Sequence, residues 1–170
     1  MRKLQYIIPL FFILLSCGES KDSEGIVYVQ NMKLYSEFDL AIELDSELQA
    51  FSKERTRELD SLMMALENLT AQLERMEEIP TETYQSYNDL RNAVMYREKN
   101  YEEELIGLTQ KYDQQIWERI NGFTKTFAEE NNYDMILGAS GDGSLMYAKD
   151  TLDVTDELIL FCNNNYNGLE

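Results

Sequence analysis

The sequence predicts an α+β fold in which a long antiparallel coiled-coil hairpin is inserted into a small β-containing body. Residues 31–131 contain a single proline and few other helix breakers. Apolar side chains recur along them at alternating spacings of three and four residues, which is the period of a coiled coil. Short runs of β-type residues stand on both sides of this stretch. The two ends of the hairpin are therefore expected to meet in a small sheet.

Two apolar stripes predict helices over residues 32–78 and 82–131. The first stripe consists of Leu59, Leu62, Leu66, Leu69, Leu73 and Met76, and the second of Tyr87, Leu90, Val94, Tyr101, Leu105, Leu108, Tyr112, Ile116, Ile120, Phe123 and Phe127. Pro80 separates the helices because it lacks the backbone N–H that a helix needs as donor, and because it biases Ile79 away from helical backbone. Thr81 is expected to cap the second helix. Because the two predicted helices have nearly equal lengths, an antiparallel hairpin is favoured over one continuous helical rod. In this hairpin, residue i lies opposite about residue 161 − i.

The body is expected to follow from the segments that flank the hairpin. Its predicted elements are a strand at 26–30, a strand at 133–139, a tight turn at 140–143, a third strand at 144–149 and a helix from 156 to about 164. The turn carries the Asp-Gly chemistry of a β-hairpin. Asn31 and Thr155 stand where helix caps are expected.

One domain accounts for residues 26–170, with a body of 26–31 and 132–170 and a hairpin of 32–131. A three-stranded sheet with about 50 residues of body is marginal for an independent core, which favours an oligomer.

The N-terminus has the features of a secretory signal. Arg2 and Lys3 precede an apolar run that ends in Leu14-Leu15-Ser16, directly before Cys17. This run resembles the bacterial lipobox, so residues 1–16 are expected to be removed and Cys17 to carry a lipid, followed by a flexible tether at 17–25. An ordinary signal with a chance cysteine is the alternative.

Composition argues against most catalytic chemistry. The chain has no histidine, which excludes catalytic triads with a histidine base and histidine-ligated zinc. Runs such as Glu102-Glu103-Glu104 are expected to be solvated helix faces, with a weak Ca²⁺ or Mg²⁺ site as the alternative. With 32 acidic against 15 basic residues, nucleic acid is not an expected partner. We expect no enzyme activity, no catalytic residue, no cofactor and no metal.

The order of these elements resembles the Skp/OmpH family of periplasmic chaperones. The resemblance is carried by Ile26-Val27-Tyr28-Val29-Gln30-Asn31-Met32, the long charged coiled coil, and a tail with Tyr133-Asp134-Met135-Ile136-Leu137, Leu145-Met146-Tyr147 and Leu152-Asp153-Val154-Thr155-Asp156-Glu157-Leu158.

The resemblance implies a jellyfish-like homotrimer whose helical tentacles enclose unfolded outer-membrane proteins without ATP. It implies a cell-envelope location in a Gram-negative bacterium, here facing the periplasm from the outer membrane, and no small-molecule substrate. The chain departs from the best-known member, which is basic and soluble. Loss of Arg2 and Lys3 with the signal leaves 13 basic against 32 acidic residues.

Five apolar side chains of the hairpin lie off the stripes or near its tip. They are the candidate contacts to clients, namely Met64, Tyr84, Met95, Tyr96 and Ile106. Methionine and tyrosine suit promiscuous binding, since one is adaptable and the other amphipathic. Scattered exposed apolar residues are also ordinary. An ATP-independent holdase is thus the expected function, and a structural or tethering coiled-coil lipoprotein is the alternative.

Cys17→Ser is predicted to abolish lipid labelling, because the thiol is the acylated group. The variant should accumulate as precursor or leave the detergent phase for the aqueous phase. Unchanged detergent partitioning would show that Cys17 is not the anchor.

Overall fold

The structure, a computed structural model, describes residues 25–169. The elements in chain order are β1 (Ile26–Gln30), α1 (Asn31–Glu37), α2 (Asp39–Leu73), α3 (Thr81–Asn131), β2 (Met135–Ala139), a 3₁₀ turn (Asp150–Leu152) and α4 (Thr155–Asn165). The predicted signal, tether residues 17–24 and Cys17 lie outside the described residues.

The two strands pair in parallel, with Ile26 opposite Met135 and Gln30 opposite Ala139. Parallel neighbours need a long crossover connection, and here the whole helical hairpin is that connection. The other edge of β1 is covered by the segment before α4. The Val154 amide donates to the Tyr28 carbonyl at 3.0 Å, and the Gln30 amide donates to Thr155 Oγ1 at 2.9 Å.

The predicted third strand at 144–149 is wrong, since the described residues contain a sheet of two strands. The predicted tight hairpin turn is also wrong. Gly141 and Gly143 both have positive φ, at 74° and 93°, and Asp142 Oδ1 accepts a hydrogen bond from the Ser144 amide. Residues 144–149, which follow this loop, form no strand, and Tyr147 is 81% exposed.

The first helix is broken where a continuous one was predicted. Phe38 has extended backbone, with φ −80° and ψ 125°, between α1 and α2. The side-chain amide of Asn163 on α4 satisfies both sides of the break, since it donates to the Glu37 carbonyl and accepts from the Asp39 amide, each at 3.0 Å. Phe38 is fully buried and packs edge-on against Phe123.

Helix α2 ends at Leu73, five residues before the predicted end. The next residues carry three carboxylates, Glu74, Glu77 and Glu78, which are unfavourable at the negative end of a helix dipole. The connection is therefore seven residues long. The predicted register shifts accordingly: Glu58 meets Arg97 and Arg55 meets Glu104, so the paired numbers sum to 155 and 159 instead of 161.

The three predicted caps are wrong in detail, because each helix begins on the residue expected to cap it. The N-cap positions are Gln30, Pro80 and Val154, and none makes a side-chain capping bond. Asn31 instead donates to Ser140 Oγ at 2.9 Å, and Thr155 hydrogen-bonds to the Asp153 carboxylate. These polar side chains tie the helices to neighbouring loops.

The core lies in the body and the adjoining end of the hairpin. It is formed by Val27, Val29, Leu34, Phe38, Leu40, Ala41, Leu44, Ile116, Ile120, Phe127, Val154, Leu158, Ile159 and Cys162. Beyond this cluster the two helices run antiparallel, and the residues of the two predicted stripes are buried or half-buried along them, except Met76, which lies beyond α2 and is 41% exposed. The hairpin is thus anchored at one end and thin at the other.

Leu158→Ala is predicted to destabilise the protein by about 2–5 kcal/mol, because the fully buried side chain leaves a cavity. The matched control is Leu160→Ala on the same helix, where the side chain is 62% exposed, with a change within about 0.5 kcal/mol. Denaturant unfolding measures both, and equal effects would contradict this assignment of the core.

Candidate functional site

The five predicted contact residues are all exposed. Their exposed fractions are 63% for Met64, 54% for Tyr84, 56% for Met95, 65% for Tyr96 and 52% for Ile106. One lies on α2 and four on α3. A large apolar side chain that stays exposed gains little burial free energy on folding, so this apolar surface is available for other contacts.

Three of the five form a stripe along α3 that the heptad analysis missed. Tyr84, Met95 and Ile106 are each eleven residues apart. Eleven residues make three helical turns to within about 20°, so these side chains share one face of the helix. The next position at the same spacing is Trp117, which is half-buried and packs against Tyr35 with ring centroids 5.7 Å apart. An eleven-residue search of the sequence would have found the stripe.

The stripe is a track and not a pocket. Tyr84 and Ile106 are separated by about 33 Å along the helix axis at ~1.5 Å per residue. None of the five candidates lines the four main grooves of the described residues. The structure therefore does not bring them together at one point.

Further exposed apolar residues near the tip were not among the predicted contacts. Met63 is 40% exposed and Ile79 is 48% exposed, with Met76 between them in sequence. Met63 lies outside the heptad stripe, and this position in the sequence already predicts that its side chain is exposed. Met76 belongs to the predicted stripe only if α2 continues past it, and α2 ends at Leu73.

Ion pairs hold the middle of the hairpin together. Arg55 contacts Glu58 and Glu104, each at 3.2 Å, and Arg97 contacts Glu58 at 3.5 Å. The Arg55 guanidinium also lies 5.2 Å from the centroid of the Phe51 ring. Since these groups are partly exposed, the network is expected to fix register more than to add stability.

Reactive groups are sparse in the part of the chain that the structure describes. It contains no cluster of histidine, cysteine, aspartate or glutamate suited to a metal ion. Burial raises the pKa of the Cys162 thiol to about 12, so the thiol is protonated at neutral pH and unreactive. Within residues 25–169, no helix has both the length and the apolar character needed to cross a membrane.

The fold and the family of the chain are both shared with known proteins. Among solved structures, an OmpH-like protein from Caulobacter crescentus CB15, described as a candidate outer membrane chaperone, matches with a TM-score of 0.75 and 15% identity. The match covers 86% of this chain and 88% of the Caulobacter chain, and at this identity it shows a shared fold. No curated protein matched the sequence.

A family model gives the assignment. The model for OmpH, described as outer membrane protein (OmpH-like), matches residues 25–160. This range includes the two strands, the whole hairpin and the start of α4. The resemblance to the Skp/OmpH family is confirmed, and the chain is a member of the OmpH-like outer membrane protein family.

Proposed function

We propose that the protein is an ATP-independent holdase for unfolded outer-membrane proteins. Membership of the OmpH-like family supports a chaperone role. The observation that carries the proposal is the track of exposed apolar side chains, Tyr84, Met95, Ile106 and their neighbours, on a hairpin whose other exposed residues are mostly charged or polar. An unfolded client offers apolar segments along its whole length, and an extended track contacts several of them at once.

Binding of this kind needs no nucleotide. Each half-exposed side chain buries a small apolar area on contact, and at roughly 25 cal/mol per Å² a single contact is weak. Several contacts along one track act together through their high effective concentration, while each one breaks and reforms independently. A client is therefore held tightly enough to prevent aggregation and released gradually.

We infer that three chains assemble through the body and that paired α2 and α3, in a coiled coil, form the tentacles. The outer edge of β2 is unpaired within residues 25–169, and such an edge accepts a further strand. A groove of ≈ 600 Å³ on the sheet is lined by apolar residues of both strands and of the loop after β2, which include Ile26, Leu137 and Leu145. Met146 and Tyr147 protrude next to it, 87% and 81% exposed. The segment at 144–149 would thus find its strand partner on a neighbouring chain.

The proposed location follows from the N-terminal sequence. Removal of residues 1–16 would leave a lipid on Cys17, and residues 17–25 would tether the domain to a membrane of the Gram-negative envelope, facing the periplasm. The family's association with the periplasm or outer membrane supports this location.

The central test replaces the five candidate contacts by serine: Met64, Tyr84, Met95, Tyr96 and Ile106. Light scattering of an unfolded β-barrel protein diluted from denaturant measures the outcome. The wild type should suppress aggregation at near-stoichiometric amounts, and the variant should need several-fold more protein, because the apolar contacts are gone.

The matched control replaces five exposed polar residues of the same helices by serine: Asn68, Gln72, Gln85, Asn92 and Gln110. It carries a similar loss of helix propensity without loss of apolar surface. If the wild-type protein leaves aggregation unchanged, a tethering function is indicated. If both variants are equally active, the five apolar candidates do not bind clients.

The trimer is tested by Met146→Lys together with Tyr147→Lys. Both side chains protrude from the single chain, so the fold should persist while burial of two ammonium groups disfavours the interface. Sedimentation should report a trimer for the wild type and a monomer for the variant. Met32→Lys with Leu160→Lys, at other exposed apolar positions, should remain trimeric. A variant of wild-type mass would exclude this surface as the interface.

A further inference from the structure

A second surface near the body differs from the apolar track in its charge. A groove of ≈ 400 Å³ runs between the first turns of α2 and the facing part of α3. Its floor is apolar and rigid, because Ala41, Leu44 and Ile116 are core residues no more than 4% exposed. Ile42 lies at its side and is 54% exposed. The groove therefore combines a fixed apolar floor with an accessible apolar side chain.

The rim of this groove is acidic, and its carboxylates have only neutral partners. Asp113 accepts from the Tyr35 hydroxyl at 2.6 Å, and Asp45 accepts from Gln49 at 2.7 Å. Glu47, adjoining the groove, accepts from the Tyr112 hydroxyl at 2.9 Å. Among residues 25–169, none of the three carboxylates forms an ion pair, and no lysine or arginine lines the groove.

This arrangement contrasts with the middle of the hairpin. There Glu58 and Glu104 are neutralised by Arg55 and Arg97. Near the body the negative charge is left uncompensated beside an apolar surface. The pKa of the Tyr35 hydroxyl reflects this field, since burial, the hydrogen bond to Asp113 and the charges of Asp113 and Asp45 together raise it to about 12.

We propose that this groove binds cationic apolar segments of an unfolded polypeptide, in which a lysine or arginine stands next to apolar residues. The apolar flank would contact Ile42 and the floor, and the cation would lie between Asp45 and Asp113. The groove spans residues 41–48 of α2, about 10 Å, which matches three or four residues of an extended chain. This inference rests on the proposed holdase function and names the client chemistry that the body end of the hairpin selects.

Charge complementarity decides between this occupant and two others. The chain's own N-terminal stretch at 17–24 contains three acidic residues and one lysine. A second copy of the chain carries a formal net charge of −17. Either would bring like charge to an acidic rim, which disfavours association. A basic client segment brings the opposite charge.

The test compares two double variants of the full-length protein that remove the same charge. Asp45→Asn with Asp113→Asn neutralises the groove and keeps an amide oxygen as acceptor for the Tyr35 hydroxyl. Asp60→Asn with Glu67→Gln neutralises two exposed carboxylates farther along α2. Fluorescence anisotropy measures binding of a short labelled unstructured peptide of lysine, leucine and glycine, and of a matching peptide with glutamate in place of lysine.

The groove variant should bind the lysine peptide about tenfold more weakly than the wild type, and the control variant should change affinity less than about twofold. Ile42→Ser should also weaken binding while leaving the charge intact. Added salt should weaken the wild-type interaction more than that of the groove variant. Equal affinities of the two double variants, or equal binding of the two peptides, would overturn the proposal.

The same proteins tested for aggregation suppression separate this proposal from the holdase itself. A wild type that suppresses aggregation, with groove and control variants alike in peptide binding, would refute the groove and support the holdase. Suppose instead that the wild-type protein does not suppress aggregation and that the groove variant binds the lysine peptide more weakly than the wild type does. This result would refute the holdase function and support the groove.

Discussion

Parallel pairing of β1 and β2 is the constraint on which the rest of the structure depends. The strands lie at opposite ends of the helical stretch, so their pairing clamps the start of α1 to the end of α3. The chain between them must leave the body and return, and two antiparallel helices do this with most of their backbone groups hydrogen-bonded within each helix. A two-stranded sheet is marginal by itself. The covering of β1 by the segment before α4, and the packing of α4 on the core, compensate for its size.

Most of the helical architecture can be predicted from the sequence because it depends on local rules. Pro80 marks the connection between the two long helices and stands directly before the second, and the three–four spacing identifies the faces that become buried. The failures involve contacts between distant parts of the chain. The break at Phe38 depends on a hydrogen-bonding partner 125 residues later, Asn163, and no local signal marks it. The segment at 144–149 has the composition of a strand, but strand formation needs a partner strand, and the segment pairs with neither strand of the described sheet.

The candidate surface divides in the same way. Exposure of Met64, Met95 and Tyr96 followed from their position off the stripes, since a residue that misses the seam must face outward. The alignment of Tyr84, Met95 and Ile106 has a different period, because an eleven-residue repeat does not appear in a heptad pattern. The acidic groove was inaccessible for a further reason. It depends on the side-by-side placement of residues such as Asp45 and Asp113 on separate helices, which only the three-dimensional register determines.

The bend at Phe38 has a mechanical consequence. Helix α2 has 35 residues, so it extends about 52 Å from the bend at ~1.5 Å per residue. A rotation of about 10° at its origin would displace the far end by about 9 Å over that length. Asn163 spans the bend and Phe38 is fully buried there, so the pivot is stiff and the tilt of the arm is set where it leaves the body. The C-terminal helix, far from the tip, thus helps to set the direction in which the hairpin leaves the body.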